Sequence, residues 1–192
     1  MPRSRDAHLI GRILKAAYKL WNEGGEEALT MRAVAKAAGT TTPTVYQRFR
    51  DKRDLRELLR TQAQQKLFSA VKPSLSIGDF CRRYLDFAVR HPNAYELIHT
   101  DWAVRLEREE PRPSFELLKQ RLADQLGGAP GSHSRLALAL AALSHGTASL
   151  LVTKGISERV SNELRHVCAA ACAALAEDAS KHRFRDGRTS AS

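Results

Sequence analysis

Residues 29–55 read LTMRAVAKAAGTTTPTVYQRFRDKRDL, and the punctuation of this stretch decides the fold. Thr30 stands where an N-cap is needed: its hydroxyl accepts a hydrogen bond from the first turn of the helix it begins, and Leu29 before it can staple against Val34. The helix this predicts is short, Met31 to Ala38, because Gly39 follows, and glycine takes the left-handed conformation that ends a helix without a Cβ clash. Thr40, Thr41, Thr42 and Pro43 restart the chain. Thr42 is expected as the N-cap and Pro43 as the first helical residue, where a missing N–H leaves no bond unmade, with the helix running to Phe49. Asp51, with Asp54 three residues on, caps a further helix. Two short helices joined at a glycine make a helix-turn-helix. Ala35 is small where the helices cross, Val45 returns to the core, and Thr41, Thr42, Pro43, Thr44, Tyr46, Gln47 and Arg48 face outward. A helix end of that composition suits the DNA major groove.

Working outward, the residues on either side also read as helix. Upstream, Leu9, Ile13, Ala16, Ala17, Leu20 and Trp21 recur at steps of three and four until Gly24 and Gly25 stop the pattern. Downstream, Leu55, Leu58, Leu59, Gln62, Leu67 and Ala70 form one stripe that ends by Lys72 and Pro73. Further helices are expected over 77–91, 92–100 and 114–126, with a segment from Asp101 broken at Pro111 and Pro113. Two long helices close the chain, 134–154 and 157–179, separated at Gly155. Their stripes, Leu136, Leu140, Leu143, Thr147, Leu150 and Leu151 on the first and Val160, Leu164, Val167, Cys168, Ala171 and Leu175 on the second, are lined with small residues that let helices approach closely. No internal repeat and no alternating polar and apolar run appears, so the fold class is all-α.

Charge narrows the partner. The chain has 192 residues, 43% hydrophobic and 27% charged, enough to bury a core in one or two domains. Its 31 Lys and Arg against 21 Asp and Glu give a net charge of +10, which favours a polyanion. The excess is uneven: residues 1–60 carry +6, residues 61–180 only +1, and the Arg-rich residues 181–192 a further +3. A basic function therefore belongs to the head. No window reaches the roughly 18–20 apolar residues that span a bilayer, and the first twenty residues are charged throughout, so the expectation is a cytoplasmic protein that does not enter the membrane. Three cysteines in a chain of this size read as reduced thiols, with Cys168 and Cys172 as small residues on one packed face. No metal-ligand spacing, nucleophile motif or phosphate loop is present, so neither a metal nor a cofactor is expected and the chain is not read as an enzyme.

The string from Leu29 to Leu55, with helix one in front of it, closely resembles the head signature of the TetR family of one-component transcriptional regulators, a likeness that covers about Leu9 to Leu59. Residues 87–95 and 143–146 look like a C-terminal domain type found in some members. The resemblance implies that Tyr46 and Lys52 grip backbone phosphates, that Thr30 and Thr44 act as hydroxyl or amide donors at helix starts, and that Thr41, Thr42, Pro43, Thr44, Gln47 and Arg48 face base edges. Elementary chemistry agrees with that division. A phenol and an ammonium hold phosphate without reading sequence, whereas Arg48 can pair with guanine, Gln47 with adenine, and a Thr or Pro carbon can touch a thymine methyl. Thr42 and Gln47 occupy positions that vary freely in the family, so the operator sequence does not carry over.

The domain plan expected is a DNA-binding head over 1–50, a helical regulatory and dimerisation domain over 51–180, and a basic disordered tail over 181–192. One recognition helix gives limited affinity, so the resemblance implies a homodimer through 134–154 and 157–179, bound to a palindromic double-stranded operator. It also implies a cavity for a small apolar effector within the aromatic-rich middle, for which Phe80, Tyr84, Phe87, Tyr95, His99 and Trp102 are the candidates. Ligand binding would move the helix that follows Asp51 and so change the separation of the heads. The expected function is a repressor released by its ligand. Two alternatives remain open at this point: a non-specific DNA-binding protein, and an enzyme with its active site in the central cavity.

Overall fold

The computed structural model describes residues 3–100, 107, 110–153 and 155–182, with the side chains of 3–6 and 180–182 excepted. All regular structure among these residues is helical: α1 (Arg3–Ala28), α2 (Met31–Ala37), α3 (Thr42–Tyr46), α4 (Lys52–Val71), α5 (Ile77–Arg90), α6 (Pro92–His99), α7 (Pro113–Leu126), a 3₁₀ turn (Pro130–His133), α8 (Ser134–Leu151) and α9 (Glu158–His182). The all-α expectation holds. The residues divide into two compact units. The first takes the chain through Ala63 together with the α6 segment from Asn93, the second Gln64–Pro92 together with α7, α8 and α9.

In the first unit the glycines act where the sequence placed them. Helical geometry in α1 is lost at Gly24 and at Gly25, whose φ of 59° lies in the left-handed region. The upstream apolar face delivers Ile13, Ala17 and Trp21 to the core, where they are buried with Leu29, Val34, Val45, Phe49, Leu55 and Leu59. Burying side chains of this size contributes about 1.5–3 kcal/mol each, which holds helices as short as α2 and α3 against a backbone that would not stay helical alone. The Trp21 indole N–H donates to the Asn93 carbonyl at 2.7 Å, and the Asn93 amide donates to the Asn22 carbonyl. These bonds join α6 to the end of α1, a long-range pairing with no local signature in the sequence.

In α4 the buried face is Leu55, Leu59, Ala63, Leu67 and Val71, at steps of four, while Leu58 is exposed. The expected stripe therefore included three residues that the core does not bury, Leu58, Gln62 and Ala70, and lacked Ala63 and Val71. In the second unit α5 starts at a Ser76 cap that accepts from the Asp79 N–H at 3.1 Å. It is tied to α9 by the Arg165 guanidinium, 2.7 Å from Asp86. Arg121 of α7 donates to the Lys72 carbonyl at the end of α4, 2.9 Å away. The closing helices are shifted from expectation: α8 ends at Leu151 rather than Lys154, and α9 runs from Glu158 through His182, past Ala179 and into the segment expected to be a disordered tail. Residues 183–192 of that segment lie outside the described residues, as does most of the segment from Asp101.

Candidate nucleic-acid interface

The interface is built from two capped helices and the turn between them. Thr30 caps α2 as expected, its hydroxyl accepting from the Ala33 N–H at 3.1 Å. At the other end the Ala38 N–H bonds to the Val34 carbonyl at 2.9 Å and the Thr40 N–H to the Ala35 carbonyl at 3.0 Å. These bonds wrap the chain around Gly39, which has a φ of 62°. A side chain at that φ would be strained, so the turn depends on glycine.

The N-cap of α3 is Thr41, not Thr42. The Thr41 hydroxyl accepts from the Thr44 N–H at 3.4 Å, and the hydroxyls of Thr41 and Thr44 lie 2.8 Å apart. The shift by one residue lets the Val45 N–H bond to the Thr41 carbonyl at 3.1 Å. It also places Pro43 within the first turn, where its missing N–H still leaves nothing unmade. α3 is shorter than expected, ending at Tyr46 instead of Phe49. The Arg48 and Phe49 N–H groups both turn onto the Val45 carbonyl at 3.0 Å, closing the chain into a tight turn. The reason is packing. Val45 and Phe49 are both in the core, and the chain must bend after Tyr46 to bring Phe49 back.

The residues between those two anchors face solvent. Tyr46 is 52% exposed, so its ring is not part of the core, and Thr41, Pro43, Gln47 and Arg48 are also exposed, with Thr42 and Thr44 half-buried. The seven outward residues expected of this helix thus share one short segment.

Lys52 sits at the start of α4, whose first turn is capped by the Asp51 carboxylate accepting from the Asp54 N–H at 2.8 Å, while the Asp54 carboxylate reaches back to the Arg50 N–H at 3.3 Å. The Asp51 cap is the one the sequence promised, but the return bond goes to the Arg50 N–H, one residue before the cap, and not to the Asp51 N–H that a capping box uses. Hydrogen bonding from the Asp54 N–H, with Arg53 and Arg50 nearby, holds the Asp51 carboxyl below the ordinary carboxylate range. The Lys52 ammonium is not bare. It donates to the Glu26 carbonyl at 2.6 Å and lies 2.9 Å from the Glu26 carboxylate, which also has Arg56 at 3.5 Å. Partial burial alone would raise the Glu26 carboxyl, but Lys52 and Arg56 outweigh it and hold the group low. Sequence reasoning missed Glu26, and the signal that could have found it is a pair of carboxylates, Glu26 and Glu27, just after a double glycine inside a basic head.

The aromatic candidates fall in both units. Phe80 and Phe87 are buried on α5, two turns apart, with Tyr84 half-buried between them. Tyr95 is buried on α6 against His99, ring centroids 4.6 Å apart. Trp102 lies outside the described residues. The three cysteines are free, and all three are buried. Cys81, which the sequence gave no reason to single out, is buried on α5, and the Ser144 hydroxyl lies 3.8 Å from the Cys172 sulfur. Among the described residues no group of three or more His, Cys, Asp or Glu side chains is arranged to hold a metal ion. Nor is any described helix long and apolar enough to cross a membrane.

Comparison with known proteins agrees with this geometry. Residues 13–59 match the sequence model of the bacterial regulatory proteins of the tetR family, and residues 77–175 that of the tetracyclin repressor-like C-terminal domain. Solved structures share the fold over nearly their whole length. A protein of Mesorhizobium loti described as a TetR-family transcriptional regulator is 21% identical, with 91% of this chain and 98% of that one covered and a TM-score of 0.65. A TetR transcriptional regulator of Streptomyces coelicolor is 20% identical, with 88% and 96% covered and a TM-score of 0.63. A TetR variant of Acinetobacter baumannii in complex with minocycline is 16% identical, with 90% and 97% covered and a TM-score of 0.62. No curated protein matches this chain.

Proposed function

This chain belongs to the TetR family of bacterial regulatory proteins, and from that premise we propose that it is a homodimeric, sequence-specific repressor that leaves its operator when a small apolar ligand binds. The observation that carries the proposal is the exposed end of α3, where Tyr46, Gln47 and Arg48 stand in solvent between the buried anchors Val45 and Phe49. Side chains fixed at both ends by core residues enter a groove with little further loss of conformational freedom. Gln47 and Arg48 carry the donors and acceptors that discriminate base edges. Tyr46, Lys52, Thr30 and Thr44 supply sequence-independent holds on phosphate, and Thr41, Thr42 and Pro43 line the same approach.

Dimerisation is supported by the faces that α8 and α9 leave uncovered. Leu138, Leu143 and Leu150 are 49%, 37% and 56% exposed on α8, and Val167 and Leu175 are 57% and 45% exposed on α9. Apolar residues repeated along neighbouring helices in this way are the signature of an interface rather than of scattered surface exposure. The candidates for effector contacts are Phe80, Tyr84 and Phe87 in the second unit and, in the first, Tyr95 and His99, with Trp102 a candidate from sequence alone; their chemistry suits an apolar molecule carrying few polar groups. Of the places where the chain passes from one unit to the other, the one between Ala63 and Gln64 falls inside α4, so that helix is one covalent link along which a signal can pass. No step of this account needs a cofactor or a metal, and the working place of such a regulator is the cytoplasm.

The test is a salt series of affinities for the DNA flanking the protein's own coding region and for an unrelated duplex of equal length. The proposal expects tighter binding to the flanking DNA, by about 10³-fold or more at physiological salt, with both affinities falling as salt rises. Equal affinities for the two duplexes would contradict it and favour non-specific binding instead.

A further inference from the structure

Lys52 is the residue on which the phosphate-binding reading leans most, and Glu26 is fastened to it. The loss of helical geometry at Gly24 and Gly25 turns the chain so that Glu26 presents two acceptors to the start of α4. Its backbone carbonyl is 2.6 Å from the Lys52 ammonium, and its carboxylate is 2.9 Å from that ammonium and 3.5 Å from the Arg56 guanidinium. We propose that Glu26 is the built-in counter-ion of this basic cluster, occupying the place an operator phosphate takes and so setting the strength and salt dependence of DNA binding.

An ammonium has three donors. Two are committed to Glu26, which fixes the direction of the third without filling it. The carbonyl bond survives any change in the Glu26 side chain, so Lys52 stays at its post whether or not the carboxylate is there. The carboxylate itself is half-exposed and can swing away. While it remains, the cluster of Lys52, Arg56 and Glu26 carries one net positive charge instead of two, and an arriving phosphate must share or displace an anion already in place. The carboxyl's low affinity for a proton, held down by the same two cations against the effect of burial, is consistent with that arrangement. This inference rests on the reading of Lys52 as a phosphate contact and goes beyond it, because it assigns an opposing role to a residue of the same sign as the DNA.

The test is Glu26→Gln, which keeps an acceptor of the same shape and removes the charge. The expected result is tighter binding to operator and to unrelated duplex alike, about two- to fivefold at low salt, in keeping with an exposed ion pair. The slope of log affinity against log salt should steepen by up to about 1, the value for one additional cation available to phosphate. In a Lys52→Ala background the gain from Glu26→Gln should fall to less than half. Glu23→Gln, which removes an exposed carboxylate paired with Lys19 of its own helix at 3.7 Å, should reproduce neither the gain nor the change in slope. Unchanged or weaker binding by Glu26→Gln, an equal gain from Glu23→Gln, or a gain that persists in full without Lys52 would overturn the assignment. If the unaltered protein binds no duplex, it is the DNA reading itself that fails. If it binds and these differences are missing, only the role of Glu26 is lost.

Discussion

At Thr41 and Thr42 a single hydroxyl decides where a helix begins. Either residue can cap on composition alone, and proline is favoured at the first helical position, which is why sequence reasoning chose Thr42. The fold chooses Thr41 because that register gives the Val45 N–H a backbone partner and pairs the Thr41 and Thr44 hydroxyls. Such a choice between adjacent identical residues is made by packing, out of reach of a local rule. Thr41→Ala should therefore destabilise the protein by about 1 kcal/mol, and Thr42→Ala by no more than a few tenths, measured as the change in urea midpoint at constant m. Arg48 belongs to the same scale and is read through DNA instead. Arg48→Ala should weaken operator binding by about 1–3 kcal/mol and relax the preference for one base pair, with little change in affinity for unrelated duplex. An equal loss on both would make Arg48 a phosphate contact.

At the scale of elements, the sequence was clearest where helix ends are marked chemically and least clear where faces are chosen by neighbours. Thr30, Gly39, Asp51 and Asp54 each perform locally the task their residue type implies, so α2, its turn and the start of α4 were legible. The α8 stripe was not. Leu136, Leu140, Leu143, Thr147, Leu150 and Leu151 read as a single stripe, but the fold buries Leu136, Leu140 and Leu151, half-buries Thr147 and leaves Leu143 and Leu150 exposed. An excess of apolar residues on one helix shows that more than one surface is to be covered without telling which residue covers which. The division gives a prediction specific to each face. Leu150→Glu should split the proposed dimer, seen as a halved mass by light scattering at micromolar concentration, with native-like helix content retained. Leu140→Ala, on the buried face, should destabilise the fold by about 2–5 kcal/mol.

The whole molecule joins a basic head to a body of small net charge, and that division was plain in the sequence, since residues 1–60 carry +6 and residues 61–180 only +1. What the sequence concealed is long-range. Nothing local announces that α6 pairs with the end of α1 through Asn93, that Ser144 meets Cys172, or that the aromatic candidates for the effector are divided between two units. Stability against pH is also a property of the whole. Burial holds His145 below the ordinary histidine value of 6.5. Burial, with Lys66 and Arg90, does the same for His91. A depressed value means that the unfolded chain takes up protons first, so these two groups add stability above about pH 6.5, and that stability is lost as pH falls below it. Denaturant unfolding between pH 7.5 and 5 should show this loss, and His145→Gln should flatten part of it. The lowered carboxyls of Glu26, Asp51 and Asp79 act in a separate window below about pH 4.5.

The central claim is that the exposed end of α3 reads DNA as one half of a twofold pair. Selection of binding sites by the purified protein from a pool of random duplexes tests it most directly. The account predicts enrichment of an inverted repeat whose half-sites are centred about 34–36 Å apart, one helical turn, or a multiple of it, and with Arg48→Ala a repeat of the same spacing that has lost its preference at one base pair of each half-site. Recovery of a pool with no consensus, or of an unrepeated site bound by a single chain, would contradict it.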